Sequence, residues 1–278
     1  MIIAVASGKG GTGKTTVAVS LAMSIGENIQ LLDCDAEEPN ASIFVKPEIS
    51  QKEIVSLKIP QVDAEKCDFC GQCSSVCAFN AIAVTPWAVN IFSELCHGCG
   101  ACKYFCPNKA ITEVDKPIGL IEFGNKKGMD FIQGKLNVGQ AMPTPIIKAV
   151  KKKINPNKHT IIDAPPGASC AMVQSVINSN YCILVTEPTP FGLNDLKIAI
   201  EVLIKLKIPF GVIINRCDIG NNEVEKYCTQ INTRILMQIP FSRKVAEEYS
   251  LGNPLIEVLP EYKEAFKKLF AMIENNYG

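Results

Sequence analysis

The chain has 278 residues, 47% of them hydrophobic but only 7% aromatic, enough for one large α/β domain or two smaller ones around a mostly aliphatic core. Its 28 basic and 28 acidic residues cancel, so no long-range field draws it to nucleic acid or to an anionic membrane. No apolar run approaches the roughly 18 residues that span a bilayer, and the first strand enters a glycine loop without a basic leader or a cleavage site, so a soluble, cytoplasmic protein is expected.

Met1 to Ala6 is an apolar run suited to a strand buried on both faces. A glycine loop, Gly8 to Gly13, is followed by a helical pattern from Thr16 to Ile25 that stops at Gly26. Ile29 to Leu32 reads as a second strand, ending in Asp33-Cys34-Asp35. From about Ile59 to Val114 the rhythm breaks. Beyond it, helices are predicted over Pro145–Ile154, Cys170–Asn178, Leu193–Leu206, Val224–Ile231 and Tyr262–Asn275. Strands are predicted over Thr160–Ile162, Tyr181–Val185, Phe210–Ile214 and Ile235–Ile239. Strands alternating with helices predict a mostly parallel sheet covered on both faces.

Gly8-Lys9-Gly10-Gly11-Thr12-Gly13-Lys14-Thr15 fits the P-loop pattern GxxxxGK[ST]. Glycines let successive backbone N–H groups approach phosphates, and the following helix adds its positive dipole end. Lys14 is placed to reach the β- and γ-phosphates of ATP, Thr15 to ligate Mg2+ and Thr16 to contact the α-phosphate. Gly8, Gly10 and Gly13 also match a dinucleotide fingerprint, with Asp33 near the distance of a ribose contact. Lys14-Thr15-Thr16 favours the P-loop, because a pyrophosphate site needs neither the lysine nor a metal-binding hydroxyl.

Eight of the 13 cysteines lie between Cys67 and Cys106, a clustering that in a reducing compartment points to metal rather than disulfides. They form a repeat. Cys67, Cys70, Cys73 and Cys77 precede Ala81-Ile82, and Cys96, Cys99, Cys102 and Cys106 precede Ala110-Ile111 at the same offsets. The spacing is that of bacterial ferredoxins, in which the fourth cysteine ligates the other cluster. One 4Fe-4S cluster is therefore assigned to Cys67, Cys70, Cys73 and Cys106, and the other to Cys96, Cys99, Cys102 and Cys77. Structural zinc is the competing reading, but zinc sites pair two Cys-x-x-Cys hairpins across a longer spacer. Ala78 stands where proline is usual after the fourth cysteine, whereas Pro107 is present in the second run. His97 is read as a spacer between ligands.

With Lys9 included, the glycine loop resembles the deviant Walker A box of the MinD, ParA, Mrp and nitrogenase iron protein class. The resemblance runs essentially end to end and includes Asp163-Ala164-Pro165-Pro166-Gly167 and the Thr186 to Gly192 segment. It implies an ATPase that forms a homodimer when ATP-bound, with Lys9 reaching the partner's nucleotide. It likens Asp35 to the carboxylate that positions the attacking water, Asp33 to a residue near the magnesium shell, and Asp163 to the Walker B and switch II aspartate. Asn215 and Arg216 resemble the adenine contact, and Pro240 the base-binding loop.

The expected architecture is an α/β P-loop NTPase of residues 1–58 and 115–278, with a ferredoxin-like α+β insert at 59–114. Three functions are compatible with it. The first is an ATP-driven device for electron transfer to an unidentified redox partner. The second is an assembly or carrier ATPase for clusters or a metallocofactor, for which Cys170 is the one candidate interface ligand. The third is a MinD-like positioning switch with redox-sensing clusters. MinD uses a C-terminal amphipathic helix on membranes, but here the face of Phe266, Leu269, Phe270 and Ile273 is expected to pack on the core.

Overall fold

The computed structural model describes residues 1–278. Strand β1 (Ile2–Ala6) feeds the glycine loop and α1 (Lys14–Ile25); β2 (Ile29–Asp33) and a short α2 (Ala41–Val45) follow. β3 (Glu48–Val62) leads into the cysteine segment, which contains α3 (Gln72–Ser75), the hairpin β4 (Ile82–Thr85) and β5 (Ala88–Ile91), and α4 (Ala101–Tyr104). The chain returns along β6 (Ile111–Lys126) and turns into β7 (Met129–Leu136). It then alternates through α5 (Thr144–Lys151), β8 (His159–Asp163), α6 (Cys170–Val176), β9 (Tyr181–Thr186), α7 (Pro190–Leu206), β10 (Phe210–Asn215), α8 (Glu223–Gln230) and β11 (Ile235–Ile239). Three helices close the fold: α9 (Arg243–Ser250), α10 (Leu255–Val258) and α11 (Glu261–Tyr277).

One nine-stranded sheet organises the molecule, in the order β11-β10-β9-β1-β8-β2-β7-β6-β3. The seven strands from β11 to β7 are parallel, β6 is antiparallel to β7, and β3 is antiparallel to β6. Successive residues of a strand face opposite sides, and each side carries its own core. Ile3 and Val5 of β1 pack with α1, α10 and α11, whereas Ala4 and Ala6 pack with α5, α6, α7 and α8. Phe266, Leu269, Phe270 and Ile273 of α11 are buried in the first of these cores. No helix is long and apolar enough to cross a membrane.

Sequence periodicity assigned no element to β3, β6 or β7. Pro117, Gly119 and Gly124 in β6 weaken its strand signal. Pro117 sits where the β3–β6 register shifts, between the pairs Val55↔Gly119 and Ser56↔Pro117. β3 is an edge strand whose first half is exposed and polar, and only Val55 and Leu57 of its second half pack on the core, so its apolar alternation is short. Its tie to the sheet is partly ionic. Glu122 of β6 is buried, accepts from the Lys52 Nζ of β3 at 2.7 Å, and accepts from the Lys135 Nζ of β7 at 2.8 Å.

β3 and β6 also run without a break across positions 59 and 114, the limits expected for the insert, and their ladder ends at Val62↔Ile111. β7 ends opposite Gly119, which pairs with Val55. Residues 56–62 therefore project past the sheet as a two-stranded ribbon of about 23 Å at ~3.3 Å per residue. Because β3 runs parallel to the central strands, the ribbon leaves from the edge formed by their carboxyl ends.

Candidate nucleotide and cysteine sites

The carboxyl ends of β1, β2, β8, β10 and β11 deliver the glycine loop, Asp33, Asp163, Asn215 and Pro240 to one edge of the sheet. Ligands bind at this edge in open α/β sheets. A cleft of about 390 Å³ opens there, lined by Gly10, Gly11, Gly13, Lys14, Thr15 and Thr16, by Asp35 and Pro166, and by Asn215, Arg216 and Pro240. α1 starts at Lys14, so the unpaired N–H groups of its first turn face the cleft.

Two glycines are obligatory for this shape. Gly13 has φ 93°, and a Cβ there would overlap the Asn215 side chain. That side chain donates from Nδ2 to the Thr12 carbonyl at 2.9 Å, and its Oδ1 accepts from the Arg216 N–H at 3.0 Å. Asn215 thus clamps the loop onto β10. A Cβ on Gly8 would overlap the Asp195 carbonyl of α7, so the start of the loop packs directly on that helix.

Lys14 lies between two carboxylates, 3.6 Å from Asp35 Oδ2 and 3.8 Å from Asp163 Oδ1. Burial works against its ammonium, but Asp163, Asp35 and Asp33 together outweigh burial and raise its pKa. Burial pushes Asp35 up to about 6 against the pull of Lys14. Burial and the neighbouring Asp163 push Asp33 up to about 8, opposed by two backbone donors. Asp163 is raised by burial, with Lys14 again opposing.

Three buried carboxylates thus share one lysine. Neither oxygen of Asp163 has a hydrogen-bond partner, and the Thr12 hydroxyl and the Asn40 Oδ1 are equally unpaired. A hydrated Mg2+ with a polyphosphate fits this donor set, because Mg2+ keeps several waters that bond to such acceptors.

Asp33, expected near the magnesium shell, also has a bracing role within the chain. Its Oδ1 accepts from the Asp35 N–H and its Oδ2 from the Ala41 N–H, both at 3.0 Å. Here the carboxylate braces the loop that presents Asp35. Lys9 is also engaged within its own chain: its Nζ lies 3.2 Å from Glu187 Oε2. The other oxygen of Glu187 accepts from Arg216 Nη1 at 2.5 Å.

Glu187 was not apparent from sequence, because its role depends on strand order. The far wall of the cleft was also missed. It consists of Phe241 and Ser242 and of Val245, Ala246 and Tyr249 from α9. α9 buries none of its residues fully, so it carries too few apolar positions to show a core-facing period. Its one local signal is Ser242, whose side chain caps the helix by accepting from the Val245 N–H at 3.3 Å.

At the end of the ribbon, Cys67, Cys70, Cys73 and Cys106 line one cavity. Cys77, Cys96, Cys99 and Cys102 line a second. Each group contains three cysteines of one run and the fourth of the other. No three His, Cys, Asp or Glu side chains are arranged to hold a single metal ion. The repeat is visible in the backbone as matched positive φ values: Phe69 58° and Gly98 63°, Gly71 78° and Gly100 74°, Asn80 51° and Lys109 49°.

The fourth cysteines are held alike, Cys77 Sγ accepting from the Ala81 N–H and Cys106 Sγ from the Ala110 N–H, both at 3.3 Å. The turn after Ala78 closes as the turn after Pro107 does. Such N–H···S bonds tune the potential of a cluster held by these sulfurs. Soft thiolates lining a cavity suit a multi-iron cluster, so the donor set fits two 4Fe-4S groups. Cys70 and Cys99 are exposed, and the His97 ring stacks on Phe79 at 3.6 Å beside the second cavity. Cys170 is exposed at the start of α6.

A glycine loop, a helix N-terminus and strand-end aspartates around one cleft define a P-loop nucleotide-binding protein. Residues 3–255 match the model of the CobQ/CobB/MinD/ParA nucleotide binding domain, and the chain belongs to that family. It is 31% identical over 262 residues to an uncharacterised protein of Methanocaldococcus jannaschii, covering 92% of each chain. It is 27% identical over 300 residues to an iron-sulfur cluster carrier protein of Pyrococcus horikoshii, covering 98% of this chain and 85% of that one. Its fold is similar to that of the septum site-determining protein MinD of Pyrococcus horikoshii, solved with Mg-ADP. The TM-score is 0.56 at 21% identity, over 96% of this chain and 93% of the other. The fold is the mostly parallel P-loop architecture of MinD, and members of this family are generally ATPases.

Proposed function

We propose that the chain is a Mg-ATP-dependent ATPase that delivers iron–sulfur clusters to acceptor proteins. Residues 59–114 act as a ferredoxin-like insert and residues 1–58 and 115–278 as the ATPase. The observation that carries this reading is the pair of four-cysteine cavities on a ribbon leaving the nucleotide edge, in a chain similar over nearly its whole length to a cluster carrier.

Lys14 neutralises the terminal phosphates, Thr15 ligates Mg2+, and Asp35 orients the attacking water. Asp163, whose two oxygens have no hydrogen-bond partner, would help hold the metal. Asn215 fixes the loop, and Arg216, Pro240 and Phe241 receive the base. ATP binding brings two copies together with Lys9 crossing the interface. The clusters, held by Cys67, Cys70, Cys73 and Cys106 and by Cys77, Cys96, Cys99 and Cys102, supply the transferable or redox-active iron. The exposure of Cys70 and Cys99 would let an acceptor reach these ligands.

One observation favours a second reading, electron transfer: all eight thiols fall in closed sets of four, as in ferredoxins that keep their clusters. One experiment separates the two. Anaerobically reconstituted protein is mixed with an apo acceptor requiring a 4Fe-4S cluster, with Mg-ATP or Mg-ADP, and iron is counted on each protein after separation. Delivery predicts nucleotide-dependent appearance of cluster on the acceptor. Iron that stays put, with ATP turnover that changes on dithionite reduction, would replace delivery by electron transfer.

A further inference from the structure

The sheet order β10-β9-β1 places the loop after β9 between the loops after β10 and β1. Glu187 is the acid in that middle loop. The neighbours on its two sides are both cations: Arg216, one residue past β10, and Lys9, in the glycine loop past β1. Its side chain is only 10% exposed, and each oxygen is taken by one of them, Lys9 at 3.2 Å and Arg216 at 2.5 Å. The backbone leaves little freedom in this arrangement. A Cβ on Gly8 would overlap the Asp195 carbonyl, and one on Gly192 would overlap the Glu187 carbonyl. Arg216 has φ 52°, an unusual value for a side chain of its size, and its amide is held by Asn215 Oδ1.

We propose that Glu187 is a positioning residue that holds Lys9 inside its own subunit and thereby sets how readily two ATP-loaded copies associate. This rests on the reading that Lys9 serves the nucleotide of a second copy. The charge balance selects Lys9 as the group that leaves. With both cations in place, the trio carries one excess positive charge. When Lys9 departs, Glu187 and Arg216 remain a neutral pair, so no buried carboxylate is left alone. Lys9 is also the longer of the two contacts, and one-third of its side chain is exposed. A triphosphate on the facing copy offers Lys9 more negative charge than one carboxylate does. Association is then an exchange of Lys9 from an internal acid to an external phosphate chain.

The test uses full-length protein with its clusters, and Glu187→Gln, which offers one acceptor oxygen where the carboxylate offered two. Sedimentation velocity at saturating Mg2+ and a non-hydrolysable ATP analogue gives the protein concentration for half-dimerisation. Saturation removes any effect of Arg216 on nucleotide affinity. Glu187→Gln is expected to lower that concentration about fivefold, the scale of a partly exposed ion pair. Lys9→Ala and the double variant Lys9→Ala/Glu187→Gln are expected to behave identically, because Glu187 acts only through Lys9. A merely structural acid would instead weaken the dimer, or shift it equally with and without Lys9, and either result overturns the proposal. If wild type dimerises through Lys9 but ignores Glu187, the latch alone is wrong. If neither wild type nor Glu187→Gln dimerises, both the latch and the dimer reading fall.

Discussion

Asp35→Asn should stabilise the nucleotide-free protein at neutral pH while abolishing its turnover. Asp35 is a buried carboxyl whose pKa rises from 3.8 to about 6, with burial the largest cause and the attraction of Lys14 already included. Each pH interval of one is worth about 1.4 kcal/mol, so holding this group ionised in the folded chain costs about 3 kcal/mol. The sign follows from the direction of the shift. A raised carboxyl favours the folded state most below pH 3.8, and that advantage is lost as pH climbs through about 6.

Asparagine is neutral throughout. The difference between Asp35→Asn and wild type should therefore be near zero at pH 4 and approach about 3 kcal/mol in favour of the variant above pH 7. Urea unfolding followed by far-UV circular dichroism would measure it, under anaerobic conditions and at matched iron content so that cluster loss cancels. A stability difference that does not vary between pH 4.5 and 8 would refute the argument. So would a destabilised variant at pH 8.

The other perturbations probe geometry. Gly13→Ala should lose nucleotide binding, because its φ of 93° and the contact of the new Cβ with Asn215 both oppose it; calorimetric titration with Mg-ADP reads the loss. Its melting temperature should fall by the equivalent of roughly 1–2 kcal/mol for a side chain in the left-handed region. Iron counting tests the crossed cysteine sets: Cys67→Ala/Cys106→Ala should cost one cluster, about four irons, whereas Cys67→Ala/Cys77→Ala should cost both. If Cys67→Ala/Cys77→Ala costs only one, each run holds its own cluster. Asn215→Ala should weaken nucleotide binding about tenfold by unclamping the Thr12 carbonyl, the scale of a partly buried hydrogen bond lost with its partner left unpaired.

Much of the nucleotide edge was legible because its punctuation is dense. A buried strand, a glycine loop with Lys14-Thr15, and aspartates closing two apolar strands each constrain the backbone locally. The eight cysteines were legible for the same reason, since their offsets repeat. Three kinds of feature were not. β3, β6 and β7 carry charges, two prolines and three glycines, and their pairing is fixed by partners up to about eighty residues away. α9 divides its few apolar residues between a ligand cleft and the edge of the core, where Val245 packs and Tyr249 meets Phe44. Glu187 acquires its role only from the side-by-side order of β10, β9 and β1, which no local pattern contains. Asp33 shows the reverse case, a carboxylate found correctly at a strand end but occupied by the amides of Asp35 and Ala41.

The ribbon has a consequence for the modularity of the chain. Val62 and Ile111 are partners in the last pair of an antiparallel ladder, so their Cα atoms are about 5 Å apart. Forty-eight residues leave and re-enter the sheet through a doorway one strand spacing wide. A two-residue Asn-Gly turn spans such a gap, and splicing one between Val62 and Ile111 would convert the ribbon into an ordinary hairpin with all nine strands retained. The cysteine segment is thus a cassette plugged into a hairpin tip, removable or exchangeable without rethreading the sheet. The same socket offers a place to graft a different module beside the nucleotide-binding edge.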